Sequence, residues 1–261
     1  ACLTTALAVS QWAAAVRIIA GGPEPIGAAV LPSLARGDTF TTVGISQITT
    51  SRQHLGRPVL VASRDAEGWR LDGLCPWVTG ADASATIVTG AATEDGRQLF
   101  FVVPTDANGV VIDPPLDMLA LTGSRTSAVH FDGARPTFVI EPSTQQAART
   151  GGLATTALAL GSARAAVALV QREASCRADL TPIGTSLACE LADLFARLDR
   201  AARDGIALAD RDALRGDATS LVLRAAQAAV TSSKGAGFVR GHPAERIARE
   251  SFFFLVWSCP Q

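Results

Sequence analysis

Trp77 and Thr79 stand two residues apart in the stretch Gly68-Trp69-Arg70-Leu71-Asp72-Gly73-Leu74-Cys75-Pro76-Trp77-Val78-Thr79-Gly80-Ala81. On a β-strand that spacing puts both side chains on one face. A broad aromatic surface beside a hydroxyl donor is a pair that can cover one face of a flat ring and hydrogen-bond its edge. The same two residues also fit a core aromatic followed by an ordinary strand threonine. The flanking sequence decides between these readings.

The other chemistry-bearing residues are scattered. Cys2, Cys75, Cys176, Cys189 and Cys259 are odd in number and form no Cys-x-x-Cys pair, which reads as buried thiols in a reducing compartment. His54, His130 and His242 lie far apart, with no Cys or His partner at ligand spacing, so no metal site is expected. The net charge is -1, and Lys234 is the only lysine among 23 basic residues. Such a balance leaves no basic footprint for nucleic acid or anionic lipid. No run reaches roughly 18 uninterrupted apolar residues, so no membrane span is expected. Residues 1–20 are apolar with Arg17 near the end, but a basic leading region is lacking and Gln11, Trp12 and Arg17 interrupt the run, unlike a secretory signal.

The elements around the Trp-x-Thr corner follow from periodicity. A strand with a bend runs from Trp69 to Gly73 into the corner. β-branched and aromatic runs at 59–62, 86–92, 99–103, 110–112, 128–131 and 137–140 read as further strands. Asp95-Gly96, Asn108-Gly109 and Asp132-Gly133 read as turns. Short strands with turns every 8–12 residues predict an antiparallel barrel or sandwich. From Gly151 the period becomes helical. Leu187, Leu191, Leu194 and Leu198 make one apolar stripe, and 155–174 and 216–230 are apolar nearly all round, as in buried bundle helices. Residues 3–20 and 25–34, separated by Gly21-Gly22-Pro23, read as two leading helices. The Pro-, Ser- and Gln-bearing stretch 141–149 reads as a linker. The organisation is therefore a helical segment 1–38, a β-domain 39–140 and a helical bundle 150–261.

Several motifs follow one another in a familiar order. They are Leu31-Pro32-Ser33-Leu34-Ala35-Arg36-Gly37, the Trp77-Val78-Thr79-Gly80 corner, Leu99-Phe100-Phe101-Val102-Val103-Pro104 with Gly109-Val110, and Gly123-Ser124-Arg125-Thr126 with Val129-His130-Phe131-Asp132. Near the end come Gly235-Ala236-Gly237-Phe238 and Pro243-Ala244-Glu245-Arg246. Their order and spacing from residue 31 to residue 258 resemble the acyl-CoA dehydrogenase family. The resemblance implies an α+β fold: a helical N-terminal domain of which only the last two helices are matched here, an antiparallel β-barrel middle domain, and a C-terminal domain of four-helix-bundle type.

The same resemblance implies FAD as cofactor. Trp77, Val78 and Thr79 would then wall the isoalloxazine ring, with the Thr79 hydroxyl donating to a ring nitrogen, and Ile45 and Ser46 would meet its pyrimidine edge. The family's Thr-Glu-Pro-x-x-Gly-Ser-Asp loop is represented by Ser46-Gln47-Ile48-Thr49-Thr50-Ser51-Arg52-Gln53. Gln47, Ile48 and Ser51 depart from the pattern, and Arg52 becomes the candidate for the pyrophosphate. Arg177 matches an arginine that reaches the flavin nucleotide of a neighbouring subunit, although the Phe-Gly that follows it in the family is missing. Thr231 stands where the family has a Gln beside the adenosine part.

The family's two positions for a catalytic Glu align with Ser258 and Thr155. Neither is acidic, so no catalytic residue is identified; the nearby acids Glu245 and Glu250 read as helix-surface or ion-pair residues, and Glu250 is the first alternative for the base. The implied activity is oxidation of the CH–CH group of an acyl thioester such as acyl-CoA, in fatty acid metabolism. A flavin monooxygenase or oxidase of the same fold, or an inactive oligomerising relative, fits the altered base positions. Apolar surplus on the bundle helices implies a homo-oligomer, dimer or tetramer, in the cytoplasm.

Overall fold

The computed structural model describes residues 2–49, 59–141 and 152–257. Residues 142–149 of the expected linker, Arg52 and Ser258 lie outside these residues. The chain divides into two compact units. One is built mainly from residues 4–118 and 122–150; the other from residues 151–261, with residues 119–121.

The first unit opens with two helices, α1 (Leu3–Ala20) and α2 (Glu24–Arg36). Pro25 sits in the first turn of α2, where its missing N–H costs nothing. Gly37 ends the helix in a left-handed conformation at φ 75°, and its N–H and that of Asp38 return to Leu34 and Ser33 carbonyls. The strands are β1 (Thr41–Gly44), β2 (Leu60–Asp65), β3 (Gly68–Val78), β4 (Thr86–Thr93), β5 (Gln98–Pro104), β6 (Val110–Ile112), β7 (Ser127–Ala134) and β8 (Phe138–Ile140), with the single-turn helix α3 (Ser46–Thr49) after β1. They form one sheet in the order β6-β7-β3-β2-β4-β5-β8, and β1 joins β4.

Most ladders are antiparallel, as the turn signals require. Two are not: β1 and β2 both lie parallel to β4, β1 against Thr86–Thr89 and β2 against Ala92–Thr93. Neither is joined to β4 by a tight turn, so antiparallel pairing is not imposed by the connection. The expected bend at 69–73 is absent. β3 runs straight through it, and Gly73, at φ 131°, is glycine because a Cβ there would strike the Val59 carbonyl. The turn falls earlier, between Asp65 and Gly68, which pair across the β2–β3 ladder. Asp132-Gly133 is likewise no turn. The β3–β7 register slips there, Leu71 facing Ala134 and Asp72 facing Asp132, so Gly133 forms a bulge within β7.

Two apolar layers hold this unit. On one side Leu60, Leu71, Cys75, Val78, Ile87, Phe101, Val103 and Val129 are packed together. On the other, Ile18, Ile19, Ile26 and Leu34 of the helices meet Val43, Ile48, Val88, Phe100 and Ile140. Each large side chain so buried contributes roughly 1.5–3 kcal/mol. Both faces of β4 and β5 are covered, which explains their continuous apolar runs.

The second unit contains α4 (Leu153–Ala174), α5 (Thr181–Asp204), α6 (Leu208–Ser232), α7 (Pro243–Ser251) and α8 (Phe253–Val256). Leu187, Leu191 and Leu194 are buried, as their spacing predicts. α6 begins eight residues before the expected start, and its first turns carry the exposed Asp210 and the half-buried Arg211 and Asp212 ahead of the apolar stretch. α1 and α4 are long and apolar enough to cross a membrane by length and composition. In α4 the apolar surface is largely taken up by packing, with Leu160, Ala163, Ala166, Val167 and Val170 buried.

Candidate functional site

β3 ends in the corner the sequence singles out, but the strand is not regular there. Cys75 faces Val129 and Val78 faces Ser127, three steps on β3 against two on β7. The extra residue breaks the alternation of faces. Cys75 and Val78 both point into the core, and Trp77 is turned out with 47% of its surface exposed. Thr79, which should share Trp77's face, is 4% exposed. The two side chains therefore do not lie together on one open surface. Val78 is fully buried, so only its backbone is available to a ligand.

The Thr79 hydroxyl belongs to a row of three. Its Oγ1 is 3.2 Å from Thr126 Oγ1, which is 2.9 Å from Ser124 Oγ. Three hydroxyls joined by two bonds hold three protons, so one proton remains for a partner beyond the row. When Ser124 donates to Thr126 and Thr126 to Thr79, that spare donor is Thr79. Backbone contacts fix the corner: Thr42 Oγ1 donates to the Thr79 carbonyl at 2.7 Å, and the Gly80 N–H donates to the Ser124 and Arg125 carbonyls at 2.9 and 3.2 Å. Gly80 is left-handed at φ 64°. The segment it contacts carries two non-glycine residues at positive φ, Leu121 at 63° and Arg125 at 48°, a costly conformation that the surrounding bonds impose. Arg125 Nε donates to the Asp82 carboxylate at 2.8 and 3.1 Å, and this ion pair holds the Asp82 carboxyl below the usual carboxylate range.

Ile45 links β1 to α3, and Ser46 is the first residue of α3. Ile45 is half-buried against the helix–sheet core. Between them and the corner is a residue that in the sequence is no more than a departure from pattern. Gln47 is 6% exposed, and its amide nitrogen has three acceptors: Gly90 O at 2.7 Å, Thr89 Oγ1 at 3.0 Å and Gly44 O at 3.2 Å. Its amide oxygen accepts from Cys75 Sγ at 3.2 Å. Burial pushes the Cys75 thiol up to about 12, so it remains a donor at neutral pH. The other described cysteines depart from the expected burial: Cys2, Cys176 and Cys189 are exposed. The sequence signal for the Gln47 cluster is a glycine within each of two strand segments, Gly44 at the end of β1 and Gly90 inside β4, and glycine spacing alone does not identify a glutamine as their partner.

In the helical unit, Arg177 precedes α5. Its guanidinium donates to the Ser232 carbonyl at the end of α6 and lies 3.6 Å from Glu173. Its Nε is buried and makes no hydrogen bond to any of the described residues. Thr231 is exposed in the last turn of α6. Thr155, at one of the two expected base positions, is 7% exposed on the first turn of α4. Glu245 is paired with Arg249, which lowers its pKa, and Arg249 also donates to the Leu119 carbonyl at 3.0 Å. Glu250 is different. Its side chain is only 12% exposed, its nearest ion-pair partner is Arg246 at 3.9 Å, and burial pushes its pKa up. Among the described residues no group of three His, Cys, Asp or Glu is placed to hold a metal ion.

No family model matches the chain. Among curated proteins it is 28% identical over 145 residues to a probable acyl-CoA dehydrogenase, YngJ, of Bacillus subtilis (strain 168), a match covering 52% of this chain and 37% of that protein. It is 27% identical over 122 residues to a probable acyl-CoA dehydrogenase, fadE25, of Mycobacterium leprae (strain TN), covering 45% and 31%. The matches thus span about a third of those relatives' lengths. Among solved structures, a glutaryl-coenzyme A dehydrogenase–glutaryl-CoA complex superposes with a TM-score of 0.85 at 16% identity, over 98% of this chain and 72% of that one. Butyryl-CoA dehydrogenase from Megasphaera elsdenii gives 0.83 at 15% identity, over 98% and 74%. An acyl-CoA dehydrogenase from Geobacillus kaustophilus gives 0.81 at 16%, over 93% and 71%. The chain thus has an acyl-CoA dehydrogenase-like fold, and over about half of its length its sequence is similar to probable acyl-CoA dehydrogenases.

Proposed function

We propose that this chain binds FAD against the β3 corner and acts as an oxidoreductase on the CH–CH group of an acyl thioester. The observation that carries the reading is the hydroxyl row at the end of β3, which has one proton to spare and follows the exposed Trp77 by two residues. These residues fit a flavin. The Trp77 ring offers an aromatic face, worth on the order of 1 kcal/mol in stacking. Thr79 would donate to the ring, and a Cβ at Gly80 would meet nothing nearer than 4.0 Å, so the chain leaves room beside the corner. Ile45, Ser46 and the backbone of Val78 would complete the wall. Arg52, Arg177 and Thr231 are the candidates for the diphosphate and adenosine parts.

Bound FAD would supply the hydride acceptor that no side chain can provide. The chain itself must orient the ring and remove an α-proton from the thioester. An alcohol cannot do the second task at neutral pH, and Thr155 and Ser258 are both alcohols. Glu250 is the carboxyl group that burial holds toward its protonated form, which makes its ionised form a stronger base than an ordinary carboxylate. The two substituted base positions also favour a second reading, flavin chemistry that needs no α-proton abstraction, as in an oxidase or monooxygenase. The apolar α4 and α6 suit assembly with further copies as a dimer or tetramer. The free Cys75, Cys176 and Cys189 suit a reducing cytoplasm.

The visible spectrum of the purified protein tests this. FAD absorbance that bleaches on adding an acyl-CoA supports the first reading. FAD that bleaches only with an external reductant and recovers quickly in air supports the second. Protein that cannot be loaded with FAD overturns both.

A further inference from the structure

We infer that Gln47 is the positioning residue of the cofactor site: its buried amide locks the Ile45–Ser46 turn and the Cys75–Thr79 corner into one frame. The inference rests on the FAD reading above for its functional consequence, but the frame is a property of the chain. Three strands meet at this side chain. The end of β1 contributes the Gly44 carbonyl, β4 contributes Thr89 Oγ1 and the Gly90 carbonyl, and β3 contributes the Cys75 thiol. Thr89 Oγ1 donates to Gly44 O at 2.7 Å, so its own proton is used and it faces Gln47 as an acceptor. The pocket therefore presents three acceptors to the amide nitrogen and one donor to the amide oxygen. Only a group that donates at one end and accepts at the other satisfies it.

Two glycines allow the approach. A Cβ on Gly44 would stand 2.8 Å from both Cys75 Sγ and Val78 Cγ2. A Cβ on Gly90 would collide with Ile48 Cδ1, and Ile48, next to Gln47, is 4% exposed over that glycine. α3 is thus held on the sheet by an apolar contact at Ile48 and a polar one at Gln47. The residues expected to meet the flavin edge, Ile45 and Ser46, immediately precede Gln47. Trp77 and Thr79 follow Cys75 by two and four residues. Moving one wall without the other requires breaking the hydrogen bonds of the Gln47 amide in a buried site, where each unmade bond is expensive.

A carboxylate at the same position makes the frame titratable. In Gln47→Glu, the protonated acid still donates one hydrogen bond and accepts from Cys75. Its ionised form faces three acceptors and is repelled, so burial and these acceptors raise its pKa. The expected result is near wild-type FAD binding at about pH 5 and at least about tenfold weaker binding at about pH 8, with wild type unchanged across the range. Hydrogen exchange without FAD should show amides of residues 45–48 and 75–80 speeding up together as the pH rises, in the variant only and beyond the intrinsic rate change. Pairing of the two segments is the part a general loss of stability does not predict. Should Gln47→Glu fail to fold, Cys75→Ala removes only the donor to the amide oxygen and should still weaken FAD binding several-fold. Wild type that does not bind FAD overturns the functional reading alone, since the exchange experiment still decides the frame. A Gln47→Glu variant with wild-type exchange and pH-independent FAD binding overturns the inference, as does an unchanged Cys75→Ala if the first variant does not fold.

Discussion

Thr126 Oγ1 lies 3.2 Å from Thr79 Oγ1 and, on its other side, 2.9 Å from Ser124 Oγ. The middle hydroxyl therefore decides which end of the row carries the spare proton. This gives Thr126, which has no place in the Trp-x-Thr pattern, control over the donor strength of Thr79. Thr126→Val keeps the shape of the side chain and removes that control. The expected outcome is a folded protein that binds FAD with a shifted visible absorption maximum and about threefold to tenfold lower affinity, the loss of one hydrogen-bond contribution. Absorbance titration checks it, and unchanged affinity and spectrum would show that the row does not reach the cofactor.

Trp77 is half exposed and makes no contribution to the apolar layers of the β-unit. Trp77→Ala should leave the melting temperature nearly unchanged while weakening FAD retention by about fivefold to tenfold, from the loss of stacking on the order of 1 kcal/mol. Equilibrium dialysis against FAD, paired with a thermal melt, separates the two effects. A large drop in melting temperature with FAD affinity intact would assign Trp77 to the fold instead.

Arg135 grips the Asp65 carboxylate through both terminal nitrogens, at 2.7 and 2.8 Å, and its hydrogen bonds are the main reason the Asp65 pKa falls to about 2. A carboxylate with a depressed native pKa stabilises the fold above its unfolded pKa and loses that contribution as the pH falls through the native one. The β-unit should therefore lose stability between roughly pH 4 and pH 2, and Asp65→Asn should flatten the profile in that window. The pair is partly exposed and screened by salt, so the difference between variants should shrink at high ionic strength. Melting temperatures measured across this pH range, at two salt concentrations, provide the check.

If the alcohols at the two base positions limit turnover, Ser258→Glu should speed acyl-CoA-dependent bleaching of bound FAD by ~10²–10⁴, the usual worth of a general base. Stopped-flow absorbance measures it. Rapid bleaching in the unmodified protein would instead direct attention to Glu250, and Glu250→Gln should then abolish it. Wherever its function lies, Glu250 is a partly buried acid whose pKa burial raises. Its ionisation therefore costs stability as the pH rises through that value, and Glu250→Gln should be relatively more stable at neutral pH than in acid.

Most of the strands and the long helices were legible because their signals are local; β1 and α3 were not among the expected elements. Val110–Ile112, Thr86–Thr93 and the Leu187, Leu191, Leu194 stripe each display their own period, and a period of two or of 3.6 needs no partner to be recognised. The succession of motifs from residue 31 onward was enough to indicate the fold, since order along the chain is itself sequence information. Register, strand direction and facing are different, because they depend on which strands meet. The parallel placement of β1 and β2 on β4, the bulge that turns Trp77 outward while drawing Thr79 in, and the slip at Gly133 all arise from pairing between segments distant in the chain. Gln47 shows the same limit most sharply. Its four hydrogen-bonding partners come from three strands, 3 to 43 residues away. A buried amide is identified only by the donors and acceptors around it, and the tertiary structure alone assembles those.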